Sequence, residues 1–141
     1  MKKLLFSILT FAVLALSCSS AETHKGDTAM TETNTTASRT VKLNSGYEMP
    51  TLGLGTWTLT GATAENAVYA ALKTGYRLID TAKYYGNEVE VGNAIRRAVA
   101  DGICKREEVF ITTKLVPWSS NPDADIDDSL AKLGVSYIDL C

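Results

Sequence analysis

Positive charge is what this sequence most plainly lacks. With 14 Lys and Arg against 16 Asp and Glu, its formal charge is -2 over 141 residues. No basic surface is available to hold a phosphate backbone by bulk electrostatics, so nucleic-acid binding is excluded as a function class. Histidine is equally scarce: the single one, His24, stands in a Ser- and Thr-rich stretch, where a solvated side chain and not a catalytic base is expected. Of the three cysteines, Cys104 and Cys141 have no local partner pattern, which excludes a disulfide framework and a zinc site. With 10 Gly and 3 Pro the chain is not collagen-like. What is present, 45% apolar and 21% charged residues, suits one globular domain of modest size.

The one long apolar run, Leu4 to Leu16 behind Lys2 and Lys3, has signal-peptide length and is short for a membrane-spanning helix. No twin-arginine pair precedes it. Leu14-Ala15-Leu16-Ser17-Cys18 resembles the lipobox at which bacterial lipoproteins are cleaved and acylated on the cysteine. The resemblance implies an exported chain of the cell envelope, held to a membrane by lipid on Cys18, since two or more acyl chains anchor stably where one does not. Ordinary cleavage near Ser19-Ser20-Ala21, discarding Cys18, is the alternative. From residue 19 to 40 the chain is rich in Thr, Ser, Ala and Glu and offers no core to offset ordering entropy, so a flexible tether with a reach of roughly 25 Å is expected. The expected organisation is therefore a leader at 1–18, a tether at 19–40 and a domain at 41–141.

Within that domain, strand-helix units recur every 25 to 33 residues. Val41-Lys42-Leu43 and Glu48-Met49-Pro50 flank the turn-forming Asn44-Ser45-Gly46-Tyr47, which predicts a hairpin before the first unit. Strands are predicted at Thr51 to Thr56, Tyr76 to Thr81, Val109 to Lys114 and Tyr137 to Cys141. Ala64, Ala67, Val68, Ala71 and Leu72 trace one helical face; Val91, Ala94, Ile95 and Ala98 trace a second, within Asn87 to Ala100. Asn121-Pro122 opens a third helix as N-cap and first-turn proline, with Ile126, Leu130 and Leu133 on one side. Gly75, Gly102 and Gly134 stand where left-handed caps end these helices. Asp123, Asp125, Asp127 and Asp128 crowd the front of the third, favoured by its dipole, and lack the spacing of a calcium loop. Strands alternating with helices imply parallel pairing through right-handed crossovers, hence a doubly wound sheet or a barrel.

Four blocks carry a resemblance to the aldo-keto reductases. Met49-Pro50-Thr51-Leu52-Gly53-Leu54-Gly55-Thr56-Trp57 is similar to the family's opening; Gly75 to Gly92, GYRLIDTAKYYGNEVEVG, resembles its first signature; VFITTKL at 109–115 and SLAKLGVSYIDL at 129–140 resemble two later segments. The resemblance implies an α/β fold, about the first half of a (β/α)8 TIM barrel, and a NADP(H)-dependent oxidoreductase that reduces aldehydes or ketones to alcohols. A barrel enzyme of this kind takes about 250 residues, so the 141-residue chain alone is expected to be an inactive piece of it. The family's catalytic histidine would fall just past Cys141, and its main adenosine-phosphate contacts later still. The intact form is expected to be a monomer acting on a small carbonyl compound.

Carbonyl reduction by hydride needs a proton delivered to the developing alkoxide by a placed acid. A tyrosine can supply it when an ammonium stands beside the phenol and a carboxylate positions that ammonium. The resemblance implies Tyr85 as the acid, Lys114 as its partner and Asp80 as the residue holding Lys114; Tyr85 is preferred to Tyr84 because Gly86-Asn87-Glu88 follows it directly. It also implies that Gly55, Thr56, Trp57 and Asp80 meet the cofactor and that Trp57 lines the substrate pocket; Trp118, in the third loop, is expected either to line that pocket or to be a partly buried surface aromatic. The sequence supports one competing expectation: a non-enzymatic envelope lipoprotein that keeps a barrel remnant as a binding or assembly module, since nicotinamide cofactors belong to the cytosol.

Overall fold

The computed structural model describes residues 39–141; the leader, Cys18, His24 and the tether up to residue 38 lie outside the described residues. An antiparallel hairpin comes first, β1 (Thr40–Lys42) and β2 (Glu48–Pro50), with Thr40 opposite Pro50 and Lys42 opposite Glu48. Gly46 closes its turn at φ +92°, a backbone region that a side chain would strain. The Thr51 N–H donates to Arg39 O at 2.8 Å, so Thr51 belongs to this hairpin and not to the strand after it.

Three parallel strands follow, β3 (Leu54–Gly55), β4 (Leu78–Asp80) and β5 (Phe110–Thr112), paired in that order. Gly55 stands opposite Asp80, and Asp80 opposite Thr112. Each is shorter than the sequence predicts. Beyond the regular stretches the ladder continues bond by bond, Thr81 N–H to Thr112 O at 2.8 Å and Thr113 N–H to Leu140 O at 3.0 Å. The segment predicted as a fourth strand contributes a single parallel bridge, Thr112 with Leu140. Strand propensity gives the extended backbone, but only a neighbour in register turns it into sheet.

Three helices lie against the sheet: α1 (Gly61–Lys73), α2 (Glu88–Ala100) and α3 (Pro122–Leu133). The predicted stripes of the first two face inward, with Ala64, Val68, Ala71 and Leu72 buried and Ala67 half-buried on α1, and Val91, Ala94, Ile95 and Ala98 buried on α2. On α3 only Leu133 of the predicted trio is fully buried, with Ser129 beside it; Ile126 and Leu130 stay half-buried. Asn121 caps α3 by accepting the Ala124 N–H at 3.3 Å. Ile79 and Ile111, the middle residues of β4 and β5, complete the core with Leu72, Ile95 and Leu133. Fully burying one such side chain contributes about 1.5–3 kcal/mol.

Cys104 packs into this core, and burial pushes its thiol above the ordinary value, so it behaves as a small apolar side chain. Cys104 and Cys141 are free thiols, and the described residues hold no cluster of His, Cys, Asp and Glu fit for a metal ion. At the amino ends of the strands opens a cavity of about 780 Å³ lined by Tyr47, Pro50, Arg77, Phe110 and Tyr137 among others. The residues singled out above for chemistry lie at the other end.

Candidate active site

Parallel pairing brings the carboxyl ends of β4 and β5 side by side. Asp80 is the last residue of β4, opposite Thr112, and Lys114 lies two residues further along, where strand alternation returns it to the same face. The Lys114 Nζ donates to Asp80 Oδ1 at 2.7 Å and to Thr81 O at 2.9 Å. Both side chains remain partly exposed, at 47% and 38%, so their charges are available at the rim.

Tyr85 reaches the same place from a short 3-10 turn, Lys83–Tyr85, which Gly86 ends in the left-handed region at φ 67°. The Lys83 N–H donates to Lys114 O at 3.0 Å, fastening this turn to the end of β5. Lys114 Nζ sits 5.2 Å from the centre of the Tyr85 ring, and the Trp57 ring meets Tyr85 edge to face at 4.7 Å. A phenol, an ammonium and a carboxylate from three segments thus converge beside an aromatic wall.

Gly55, opposite Asp80, has open space where a side chain would stand: a Cβ there would meet nothing within 4 Å. Thr56, expected to meet a cofactor, is fully buried; its N–H and hydroxyl both donate to Asp80 O, at 2.9 and 3.1 Å. These two bonds hold the end of β3 to the end of β4. Trp118 stands at the outer end of an aromatic file: Trp57 stacks on Tyr84 at 5.9 Å, and Tyr84 meets Trp118 edge to face at 5.9 Å. The sequence weighed Tyr84 only as the alternative to Tyr85 and used Asn87 only as a marker, giving no site role to either or to Thr81. Thr81 and Asn87 act through buried hydrogen bonds that no spacing displays.

The front of α3 takes part as well. Lys83 pairs with Asp125 at 3.1 Å and with Asp128, which also accepts from Lys132 at 2.7 Å, so two of the four clustered aspartates tie α3 to the Tyr85 turn. The Ser119 hydroxyl and then Lys83 hold the Asp125 carboxyl below its ordinary range; Lys132 and then Lys83 do the same for Asp128. Asp128 above all raises the Lys83 ammonium. Depressed carboxyls stabilise the folded chain above the unfolded value of about 4, and that share is lost as pH falls through the folded values. The Lys83 share is complete below about 10.4 and is lost as pH rises through its folded value. Lys83→Met is therefore expected to flatten the decline of Tm below about pH 4. A Tm curve that stays parallel to that of the unsubstituted chain through this range would show that Lys83 holds neither carboxylate.

A parallel strand-helix repeat with ionisable side chains gathered at the carboxyl ends of its strands has the arrangement of the barrel-type α/β enzymes, whose sites lie at that face. The sequence model of the Aldo/keto reductase family matches residues 51–141, and the chain belongs to that family. It is 51% identical over 106 residues to the NAD(P)H-dependent D-xylose reductase I,II of Candida tropicalis, covering 72% of this chain and 32% of that protein. The NADH-dependent D-xylose reductase of Candida parapsilosis is 50% identical over 110 residues, covering 74% and 33%. Among solved structures, an aldo-keto reductase of Bombyx mori in complex with NADP matches with a TM-score of 0.66 at 39% identity, covering 72% of this chain and 36% of that one. The chain thus spans about a third of the length of the relatives it matches.

Proposed function

We propose that this chain carries the proton-donating part of a carbonyl reductase site that uses NADP(H) to turn small aldehydes or ketones into alcohols. The observation that carries the reading is the Lys114 ammonium, 2.7 Å from Asp80 and 5.2 Å from the Tyr85 ring centre. Tyr85 delivers its phenolic proton to the carbonyl oxygen as negative charge develops there. Lys114 places a positive charge beside the phenol and favours proton release, while Asp80 and the Thr81 carbonyl keep that charge in place. The bound cofactor supplies the hydride. Gly55, Trp57 and Asp80 would hold its nicotinamide end, Gly55 by the open space where a side chain would stand and Trp57 as an apolar wall. The relatives named above span NADH and NAD(P)H dependence, and the Bombyx mori structure contains NADP, which supports a nicotinamide cofactor and makes D-xylose a sensible first substrate.

The test is a chimera in which residues 51–141 replace the matching stretch of the Candida tropicalis reductase. Oxidation of NADPH with D-xylose or another small aldehyde supports the reading; a folded chimera that binds NADPH without turnover on any carbonyl compound overturns it. The 141-residue chain assayed alone is the control, and no turnover is expected from it because the three parallel strands and one bridge among the described residues do not enclose a barrel.

Export and acylation at Cys18 belong to the same proposal, on the lipobox-like run before it. Cys18→Ser is expected to abolish incorporation of labelled palmitate in a bacterial host and to release the chain from the membrane fraction. Equal labelling of both forms would refute the anchor.

A further inference from the structure

We infer that Asn87 is a positioning residue, whose side-chain amide clamps a strained turn and so holds the Trp57 wall against Tyr85. Asn87 stands at the N-cap of α2, where Asn ordinarily caps with its side chain, yet it makes no such bond. Its amide is directed elsewhere. Fully buried, it donates through Nδ2 to Thr56 O at 2.9 Å and to Leu59 O at 2.8 Å, and accepts through Oδ1 from the Thr81 hydroxyl at 2.7 Å. Two carbonyls on one side and a hydroxyl on the other leave only one sensible orientation of the amide.

The two carbonyls bracket Trp57 and Thr58. Leu59 N–H donates back to Thr56 O at 3.1 Å, closing a four-residue turn, and Thr58, its third residue, has φ 67°. That place in a turn ordinarily goes to Gly or Asn, and a β-branched residue there is an outlier. Such a conformation persists only where its surroundings over-determine it. Asn87 is the side chain that binds both ends of the turn, and Thr81, through which it is oriented, also presents the carbonyl that receives Lys114. One buried amide therefore joins the Trp57 rim to the strand end that carries Asp80. The inference rests on Trp57 and Tyr85 forming the site proposed above.

Trp57 can be watched without turnover. Trp118→Phe leaves Trp57 as the sole tryptophan, and its near-UV circular dichroism reports a fixed ring while the far-UV signal reports helix content. In that background Asn87→Ala is expected to reduce the Trp57 band by about half or more with helix content retained. Adding Thr58→Asn, which accepts the left-handed backbone without the clamp, is expected to restore most of the band. A band indifferent to Asn87→Ala, or no recovery with Thr58→Asn, overturns the inference. Should Asn87→Ala lose its helix signal, Thr81→Ala decides: it removes only the bond that orients the amide, so a smaller loss of the same band supports the clamp and an unchanged band overturns it. These readings do not depend on catalysis, so failure of the clamp and failure of the reductase reading are separate results.

Discussion

Tyr85→Phe in the chimera is expected to lower kcat for carbonyl reduction by roughly 10² to 10⁴-fold, the usual share of a placed general acid, with Kd for NADPH within about twofold of the parent. The expectation follows from what the substitution removes. Phe keeps the ring, its edge-to-face contact with Trp57 at 4.7 Å and its place beside the Lys114 ammonium, and takes away only the hydroxyl. Because the loss falls on a group engaged in the transition state, kcat and kcat/KM should drop together. A rise in KM with kcat preserved would instead make Tyr85 a binding residue and would transfer the acid role to another group. Tyr84→Phe provides the comparison. Tyr84 is 63% exposed and stacks on Trp57, while it is the Tyr85 ring that Lys114 stands over, so the Tyr84 hydroxyl should be dispensable for the proton step.

The largest effect on stability is expected at Gly92. This glycine is buried on α2 where α3 crosses it, and a Cβ there would overlap the Leu133 carbonyl oxygen and lie 2.6 Å from the carbonyl carbon. Both are backbone atoms at the end of a helix, so no rotamer change relieves the overlap; α3 must move as a body. Overpacking costs about 1–3 kcal/mol, a rigid backbone overlap falls at the upper end of that range, and alanine's better helix propensity returns about 1 kcal/mol. Gly92→Ala is therefore expected to lower Tm by about 10 °C, from a net loss of roughly 2 kcal/mol in a domain of this size. Gly55→Ala is the control, since a Cβ at Gly55 meets nothing within 4 Å. Equal Tm values for the two variants would mean that α2 and α3 do not approach this closely in solution.

Gly92 illustrates what can and cannot be read from a motif. It closes the block that begins at Gly75, so the sequence marks it as part of a family pattern, but only the crossing of α2 and α3 shows that a missing side chain makes room for a carbonyl. Thr56 is the opposite case. The pattern places it with the cofactor-facing residues, and the structure buries it under Asp80. Asn87 was legible only as the start of a helix and a marker beside Tyr85, because the sequence shows that an amide is present and not where it is turned.

By itself the sequence determined the family, the three helices, the inward stripes of the first two and the Asn121 cap, and it singled out Asp80, Tyr85 and Lys114 as candidates. These depend on spacing within a dozen residues, where helical periodicity and turn chemistry act locally. Only the tertiary structure decided how little of each predicted strand pairs, that Lys114 and Asp80 stand 2.7 Å apart, that Thr56 is bonded to the Asp80 carbonyl, and that one buried amide couples two rim segments. Apart from the local Thr81–Asn87 bond, each of these joins residues more than twenty apart along the chain, and such contacts follow from register and helix crossing, which a local pattern does not encode.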